Sequence, residues 1–175
     1  MAQIEWPWQY GFPPFFTIQP NAETCARQIA AWRALILEYH AVQKQGVLDV
    51  REAQRSPLFN NSAINRTLPQ EGIVKILEDL ARTGNAEPQD KTKTRWFIYW
   101  HTLDEWGEII YAWAQNNGFM NTVCTLYELT AGDNTSEEEF YGLDSEILIK
   151  ALRTLEQKKK AELIFFDDNQ GVKFF

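Results

Sequence analysis

The feature that most constrains this chain is an internal repeat with a spacing of 75 residues. In one gapless register, twenty aligned positions hold seven identities. A repeat of this length indicates two copies of one small fold rather than a single large core. The aligned segments are residues 68–80 with 143–155, Ala86-Glu87 with Ala161-Glu162, and residues 96–100 with 171–175.

Each copy begins with a pattern that predicts an amphipathic helix. Glu71 and Glu146 lie near the start, where carboxylates interact favourably with the helix dipole. The apolar residues that follow have the i, i+3, i+4, i+7 spacing of one buried face. These residues are Ile73, Ile76, Leu77 and Leu80 in the first copy, and Leu148, Ala151, Leu152 and Leu155 in the second.

A β-hairpin is predicted after each of these helices. In the second copy, two apolar runs flank the turn Asp167 to Gly171, and in the first copy residues 89–94 separate two similar runs. One face of such a hairpin packs on the helices, and a register shift of one residue would exchange the faces. The residues that we expect to point inward are Phe97, Tyr99, Val172 and Phe174, or their neighbours.

A long amphipathic helix precedes each copy, at Glu23 to Gln45 and at Leu103 to Asn117, and a glycine ends each one. A short strand and a short helix follow. The order helix, strand, helix, helix, hairpin is that of a winged helix, in which the hairpin is the wing. We therefore predict an α+β, mainly helical chain with winged-helix domains at residues 21–101 and 102–175.

Residues 1–20 differ from both repeats. Four prolines exclude regular helix and strand, so this segment is predicted to be extended. It holds six large aromatic residues, a density too high for a solvated tail. A proline-rich strand with aromatic anchors loses little conformational entropy on docking, which favours binding to a groove. The candidate docking residues are Trp6, Pro7, Trp8, Phe12, Pro13, Pro14, Phe15 and Phe16.

Two further interpretations concern parts of this segment. Trp6-Pro7-Trp8 also fits a stretch that folds back over the core of the first domain. Pro13-Pro14-Phe15-Phe16 is a PPxF sequence, close to the PPxY that WW domains bind. Because Phe replaces Tyr at the fourth position, a different groove is favoured.

The net charge of −7 is unevenly distributed. Residues 1–100 carry 11 Lys and Arg against 10 Asp and Glu, a net charge of +1, whereas residues 101–175 carry 6 against 14, a net charge of −8. The second half would repel a phosphate polyanion and suits a basic protein segment. The candidate contact residues are Asp133, Glu137, Glu138 and Glu139, although a charge run on a loop is also typical of a solvated face.

Five strings along the chain carry a resemblance to a known family. Together they resemble the vacuolar protein-sorting-associated protein 25 family, the winged-helix arm subunit of the endosomal sorting complex ESCRT-II. The resemblance covers the whole chain, and the strings are specific only in combination. They are WPWQYGFPPFF at 6–16, SPLFNN at 56–61, EWG at 105–107, TLYELT at 125–130 and GVKFF at 171–175.

This resemblance implies a tandem winged-helix fold and a non-catalytic function. Such a subunit links the ESCRT-II core to ESCRT-III during the sorting of ubiquitinated membrane cargo into multivesicular bodies. Pro13, Pro14 and Phe16 would dock into winged-helix domains of the two larger ESCRT-II subunits. The second winged helix would bind the ESCRT-III subunit charged multivesicular body protein 6. The implied location is the cytoplasm, with recruitment to endosomal membranes that the chain contacts only indirectly, through the complex.

Nucleic-acid binding is the alternative function for such a fold, as a winged-helix or transcription-associated protein. In that class the third helix enters the major groove, and Lys or Arg side chains reach bases and phosphates. Here Lys75 and Arg82 stand among three acidic residues of the same helix. A coherent basic face is therefore not predicted.

No enzyme motif occurs in the sequence, which has no P-loop, GxGxxG, GxSxG or HExxH pattern. His101 with Asp104 and Glu105 could form a metal or acid–base cluster, but these residues also fit the capped start of a helix. Neither a cofactor nor a metal is predicted. Cys25 and Cys124 form no CxxC pair, which fits free thiols in a reducing compartment.

Overall fold

The computed structural model describes residues 3–175. This part of the chain forms two compact units, the first ending at Trp100 and the second running from His101 to Phe175. Each unit has the element order that the repeat predicted: a long helix, a strand, a short helix, a third helix and a hairpin.

The helices of the first unit are α1 (Ala22–Gln43), α2 (Val50–Ala53) and α3 (Gln70–Arg82). Helix α1 begins where the Asn21 side chain accepts a hydrogen bond from the Thr24 N–H, and it ends at Lys44, which has a φ of 51°. Helix α3 buries the predicted face, since Ile73, Ile76, Leu77 and Leu80 are inaccessible to solvent.

The strands of the first unit are β1 (Val47–Asp49), β2 (Asn60–Asn61), β3 (Arg66–Thr67), β4 (Ala86–Pro88) and β5 (Arg95–Ile98). An antiparallel sheet has the order β1-β5-β4, so the wing hairpin β4–β5 continues onto the strand after α1. The small hairpin β2–β3 was not predicted, because each strand has two residues and neither shows an apolar alternation.

The second unit contains α4 (Leu103–Asn116), β6 (Val123–Thr125), α5 (Leu126–Ala131), α6 (Ser145–Gln157), β7 (Ala161–Phe166) and β8 (Asn169–Phe174). Its antiparallel sheet has the equivalent order β6-β8-β7. Only Asp167 and Asp168 connect β7 to β8, so the predicted turn from Asp167 to Gly171 is too long. Asp167 adopts a φ of 47°, a left-handed conformation that aspartate tolerates and that permits the tight reversal.

The wings pack onto their helices as predicted. Phe97, Tyr99, Val172 and Phe174 are at most 5% exposed, which confirms their inward orientation. Trp96 and Ile98 are buried as well. The wing strand of the first unit therefore exposes no aromatic side chain from Trp96 to Ile98.

The start of α4 shows which interpretation of His101, Asp104 and Glu105 holds. The Thr102 hydroxyl accepts a hydrogen bond from the Glu105 N–H, and the Glu105 carboxylate accepts one from the Thr102 N–H. This reciprocal pair is a capping box, so the acidic residues lie on the first turn of a helix. Hydrogen bonds to the Glu105 carboxylate from the backbone N–H and the side chain of Thr102 lower the pKa of Glu105.

Candidate protein-docking site

The N-terminal segment is extended only in part over the described residues 3–20. Pro7, Phe12 and Thr17 have extended backbone, and two 3-10 turns, Trp8–Gly11 and Pro13–Phe16, lie between them. The Tyr10 N–H donates to the Pro7 carbonyl (3.0 Å), and the Phe15 N–H donates to the Phe12 carbonyl (2.9 Å). Prolines are compatible with this structure because they occupy the first positions of the second turn, where no backbone N–H is needed.

Polar side chains of the first unit hold this segment in place. Gln28 Nε2 donates to the carbonyls of Phe15 and Thr17, both at 2.8 Å, and its Oε1 accepts from the Gln19 N–H at 3.0 Å. The indole N–H of Trp32 donates to the same Phe15 carbonyl at 2.9 Å. A buried glutamine that satisfies three backbone groups fixes the path of the segment across α1.

A second anchor lies at the first 3-10 turn. Asn61 Nδ2 donates to the Tyr10 carbonyl at 2.7 Å, and the Tyr10 hydroxyl donates to the Pro57 carbonyl. Burial, and to a lesser extent the nearby Tyr39, raises the pKa of Tyr10 above its ordinary value, which favours the protonated hydroxyl that donates this hydrogen bond.

The inner side of the segment is part of the hydrophobic core. Phe15 stacks parallel on Trp32 with ring centres 4.2 Å apart, and Phe16 meets the same indole edge-on at 5.4 Å. Phe15 is 4% exposed and Phe16 is 1% exposed. Both rings, which the sequence predicted as docking residues, are therefore already in contact with their own domain.

The outer side of the segment presents the opposite set of side chains. Trp8 is 72% exposed and Phe12 is 48% exposed, and their rings lie 5.7 Å apart in a tilted arrangement. Pro13 and Pro14 are exposed beside them. We call these four residues the outer ridge. It is an apolar surface, and side chains of the first unit hold the backbone that carries it.

Trp6 and Pro7 have an intermediate position. Trp6 stacks on Tyr10 at 4.0 Å and remains 39% exposed, whereas Pro7 is half-buried. The interpretation that Trp6-Pro7-Trp8 folds back over the first domain therefore fits Trp6 and Pro7, while Trp8 points outward.

The acidic candidate residues lie in a folded loop of the second unit that follows α5. Asp133 begins a 3-10 turn, and the Thr135 hydroxyl donates to the Glu128 carbonyl at 3.1 Å. Asp133, Glu137 and Glu139 are exposed, whereas Glu138 is half-buried. Phe140 is inaccessible to solvent and anchors the end of the loop.

One carboxylate of this loop is engaged within the unit. Glu139 Oε2 lies 2.6 Å from His101 Nε2, and the His101 ring packs edge-on against Trp106 at 4.8 Å. The loop is thereby connected to the start of α4. Asp133 and Glu137 are exposed and lie outside this contact.

The described residues also bear on metal sites and membrane spans. Among residues 3–175, no group of three or more His, Cys, Asp or Glu side chains is arranged to hold a metal ion. Within that range no helix has both the length and the apolar character needed to cross a membrane.

Sequence reasoning missed the residues that position the ridge, namely Gln28, Trp32 and Asn61. A signal existed for Gln28, because it falls on the apolar face of α1, where a polar residue requires a hydrogen-bonding partner. No comparable signal marks Asn61, whose contact with Tyr10 spans 51 positions of the sequence.

The chain is similar to known proteins of one family. A family model described as "ESCRT-II complex subunit" matches residues 9–144, which includes the outer ridge except for Trp8. The chain belongs to the ESCRT-II complex subunit family. Human vacuolar protein-sorting-associated protein 25 is 52% identical over 172 residues, covering 98% of both chains, and the Drosophila melanogaster protein of that name is 47% identical over the full length of both.

Solved structures of ESCRT-II proteins have the same fold. A crystal structure of subunit VPS25 of the endosomal trafficking complex ESCRT-II matches with a TM-score of 0.86 at 30% identity, covering 97% of this chain and 98% of that one. A chain in the crystal structure of the endosomal complex ESCRT-II (VPS22/VPS25/VPS36) matches with a TM-score of 0.82 at 31% identity, covering 96% and 98%. The predicted α+β winged-helix fold is confirmed, and these ESCRT-II relatives give no support to the nucleic-acid alternative.

Proposed function

We propose that this chain is a non-catalytic subunit of ESCRT-II in endosomal sorting, and that its outer ridge docks onto the VPS22 and VPS36 subunits. The observation that carries the proposal is the division of the N-terminal segment into an anchored inner side and a presented outer side. Its support is the full-length similarity to VPS25 and the existence of a solved complex with those two proteins.

The physical basis is preorganisation. Docking a flexible peptide costs about 0.5–1.5 kcal/mol for each side chain that becomes ordered, in addition to the ordering of its backbone. Here the Phe15 and Tyr10 carbonyls are already fixed by hydrogen bonds, so the ridge is presented in one conformation. Trp8 is a typical energetic anchor, because an exposed indole buries a large apolar area on binding.

The test is assembly with co-expressed VPS22 and VPS36, followed by native mass spectrometry. The variant Trp8→Ser with Phe12→Ser is expected to fold normally and to lose incorporation into the complex. The matched control is Val123→Ser with Tyr127→Ser, which removes an exposed apolar pair from the second unit. Normal incorporation of the ridge variant would reject the docking role.

We further propose that the second unit links the ESCRT-II core to ESCRT-III through charged multivesicular body protein 6. The net charge of −8 in residues 101–175 supports an attraction to a basic partner segment. Asp133 and Glu137 are exposed on a loop whose backbone is anchored at Thr135 and Phe140, so their charges have a fixed location.

The acidic contact is tested with Asp133→Lys plus Glu137→Lys, which leaves the Glu139–His101 contact intact. At low salt we expect affinity for the basic N-terminal region of the ESCRT-III subunit to fall by about tenfold, or about 1.4 kcal/mol. Asp167→Lys plus Asp168→Lys makes the same charge change in an exposed turn of the same unit and serves as the control. Equal affinities for both variants would show that net charge, not this loop, is responsible.

The remaining parts of the proposal concern domains and location. Residues 21–101 and 102–175 act as separate winged-helix domains, with residues 1–20 as the docking segment of the first. As an ESCRT-II subunit, the chain is cytoplasmic and is recruited to endosomal membranes, where ubiquitinated cargo is sorted into multivesicular bodies.

A further inference from the structure

The wing of the first unit ends in an exposed basic loop. Lys91, Lys93 and Arg95 all lie on the solvent side of the hairpin β4–β5, and Arg51 lies next to it at the start of α2. We call these four residues the basic wing tip. We propose that the basic wing tip binds an anionic lipid surface.

The loop that carries these cations has a fixed conformation. The Gln89 N–H donates to the Arg95 carbonyl at 2.8 Å, and the Trp96 indole N–H donates to the Lys93 carbonyl at 2.8 Å. Trp96 is 1% exposed, so this hydrogen bond ties the loop to the core. The cations are therefore presented together rather than on a mobile chain.

Folding brings Arg51 to the loop from a distant part of the sequence. The Val50 N–H donates to the Thr94 carbonyl at 2.8 Å, and Asp49 is opposite Arg95 in the β1–β5 register. The Arg51 side chain remains 72% exposed. Four cations thus converge at one end of the unit, although its net charge is close to zero.

Two nearby carboxylates, the half-buried Asp49 and the exposed Asp90, accept hydrogen bonds from backbone amides. Asp49 is 11% exposed and accepts hydrogen bonds from the N–H groups that begin α2, while Asp90 accepts one from the Thr94 N–H at 3.0 Å. Two of the four cations are paired, since Arg51 Nε lies 3.8 Å from Asp49 Oδ1 and Lys93 pairs with Glu78 at 3.1 Å, with the latter two groups about half exposed. Short carboxylates that bond backbone amides stay close to the chain, whereas lysine and arginine extend outward. Among the described residues, Lys91 and Arg95 form no ion pair.

The two wings of the chain differ at this position. The corresponding turn of the second unit carries Phe165 and Phe166, which are 48% and 69% exposed, followed by Asp167 and Asp168. The basic tip is thus a property of the first wing and not a requirement of the fold.

The surroundings favour an extended anionic surface over a single phosphate. A cleft of about 510 Å³ beside the tip is lined by Arg51, Lys75 and Lys93, but also by Glu71 and Glu78, whose carboxylates oppose a deeply bound phosphate. The tip has no large exposed apolar side chain to insert into a bilayer or to stack on a base. Attraction to acidic headgroups by exposed lysine and arginine needs neither.

The basic wing tip would add a direct membrane contact to the indirect contact, through the complex, that was predicted from the sequence. Residues 89–95 alone carry three cations and one acid, a pattern with no specific meaning. The cluster becomes evident only when Arg51 and the orientation of Asp49 and Asp90 are known.

The test is co-sedimentation of the full chain with vesicles in about 50 mM salt. We expect binding to phosphatidylcholine vesicles that contain phosphatidylserine at about a third of the lipid, and none to phosphatidylcholine alone. The variant K91Q/K93Q/R95Q should lose about fivefold in partitioning for each charge, or about 100-fold in all. Raising the salt tenfold should release the wild-type chain.

The control is K158Q/K159Q/K160Q, which removes three charges from the second unit, two of them paired with Glu108, and should bind the vesicles as the wild type does. Both variants should assemble with VPS22 and VPS36, which separates this test from that of the proposed function. Vesicle binding that is insensitive to the wing variant, or that is equal with and without phosphatidylserine, would overturn the proposal. So would binding of polyglutamate in the absence of vesicle binding, which would assign the tip to an acidic protein.

Discussion

Trp32 is the side chain on which the N-terminal segment packs to close the core of the first unit. It stacks with Phe15, meets Phe16 edge-on, contacts Phe59 at 5.5 Å and donates its indole proton to the Phe15 carbonyl. These interactions leave both rings of the PPxF sequence buried. The aromatic side chains that remain exposed for a partner are therefore Phe12 and Trp8 of the outer ridge.

His40 gives the first unit a pH dependence. Burial lowers the pKa of His40 below its ordinary 6.5, and the contact with the Gln45 carbonyl at 2.6 Å opposes this only in part. The unfolded chain therefore binds a proton at a higher pH than the folded chain does. The free energy of unfolding has its full value above pH 6.5 and falls as the pH drops below 6.5. Urea unfolding at pH 7.5 and 5.5 should show this loss, and His40→Gln should show a smaller one. An identical pH slope in both proteins would contradict the assignment.

The two cysteines are expected to react at different rates. Burial, with a contribution from Glu128, raises the pKa of the Cys124 thiol to about 11, whereas Cys25 is only half-buried. At pH 8 only about one Cys124 in a thousand is a thiolate, and the thiolate is the reactive form. A chromogenic disulfide reagent should therefore titrate one thiol quickly in the native chain and two in urea. Cys25→Ser should abolish the fast reaction, and two fast thiols in the native protein would contradict the burial of Cys124.

At the scale of elements, the packing of α4 against α6 depends on the absence of a side chain at Gly107. A Cβ there would lie 2.6 Å from Thr154 Oγ1 and 3.1 Å from the Ala151 carbonyl oxygen. We expect Gly107→Ala to destabilise the protein by about 1–3 kcal/mol, although alanine is the better helix former. Chemical denaturation measures the effect, and Gly11→Ala, where a Cβ meets nothing within 4 Å, is the control. Stabilisation by the Gly107 variant would show that the helices separate easily.

Elements with a strong period were predictable from the sequence. The faces of α3 and α6 and the inward residues of both wings follow from apolar spacing, because burial there depends on local periodicity. The hairpin β2–β3 and the 3-10 turns have no such period. Which aromatic residues of the N-terminal segment face outward could not be predicted, since that depends on Gln28, Trp32 and Asn61, whose contacts are distant in sequence.

At the scale of the whole molecule, one fold used twice supplies different surfaces. The first unit adds an anchored aromatic segment and a basic wing tip, and the second adds an acidic loop and most of the negative charge. Equivalent helices and a wing close both cores, and Phe15 and Phe16 complete the core of the first unit, so only the exposed residues of these surfaces are free to specify partners.

We infer that neighbouring aromatic residues of one segment have separate tasks, with Phe15 packed in the core and Phe12 presented to the partner. The most direct test measures two quantities, the melting temperature and the affinity for a VPS22–VPS36 complex, for the variants Phe12→Ser and Phe15→Ala. We predict that Phe12→Ser keeps its stability within about 0.5 kcal/mol and loses affinity. Phe15→Ala should lose about 3–5 kcal/mol of stability. Full affinity in a folded Phe12→Ser protein, or an unchanged melting temperature in Phe15→Ala, would contradict the account.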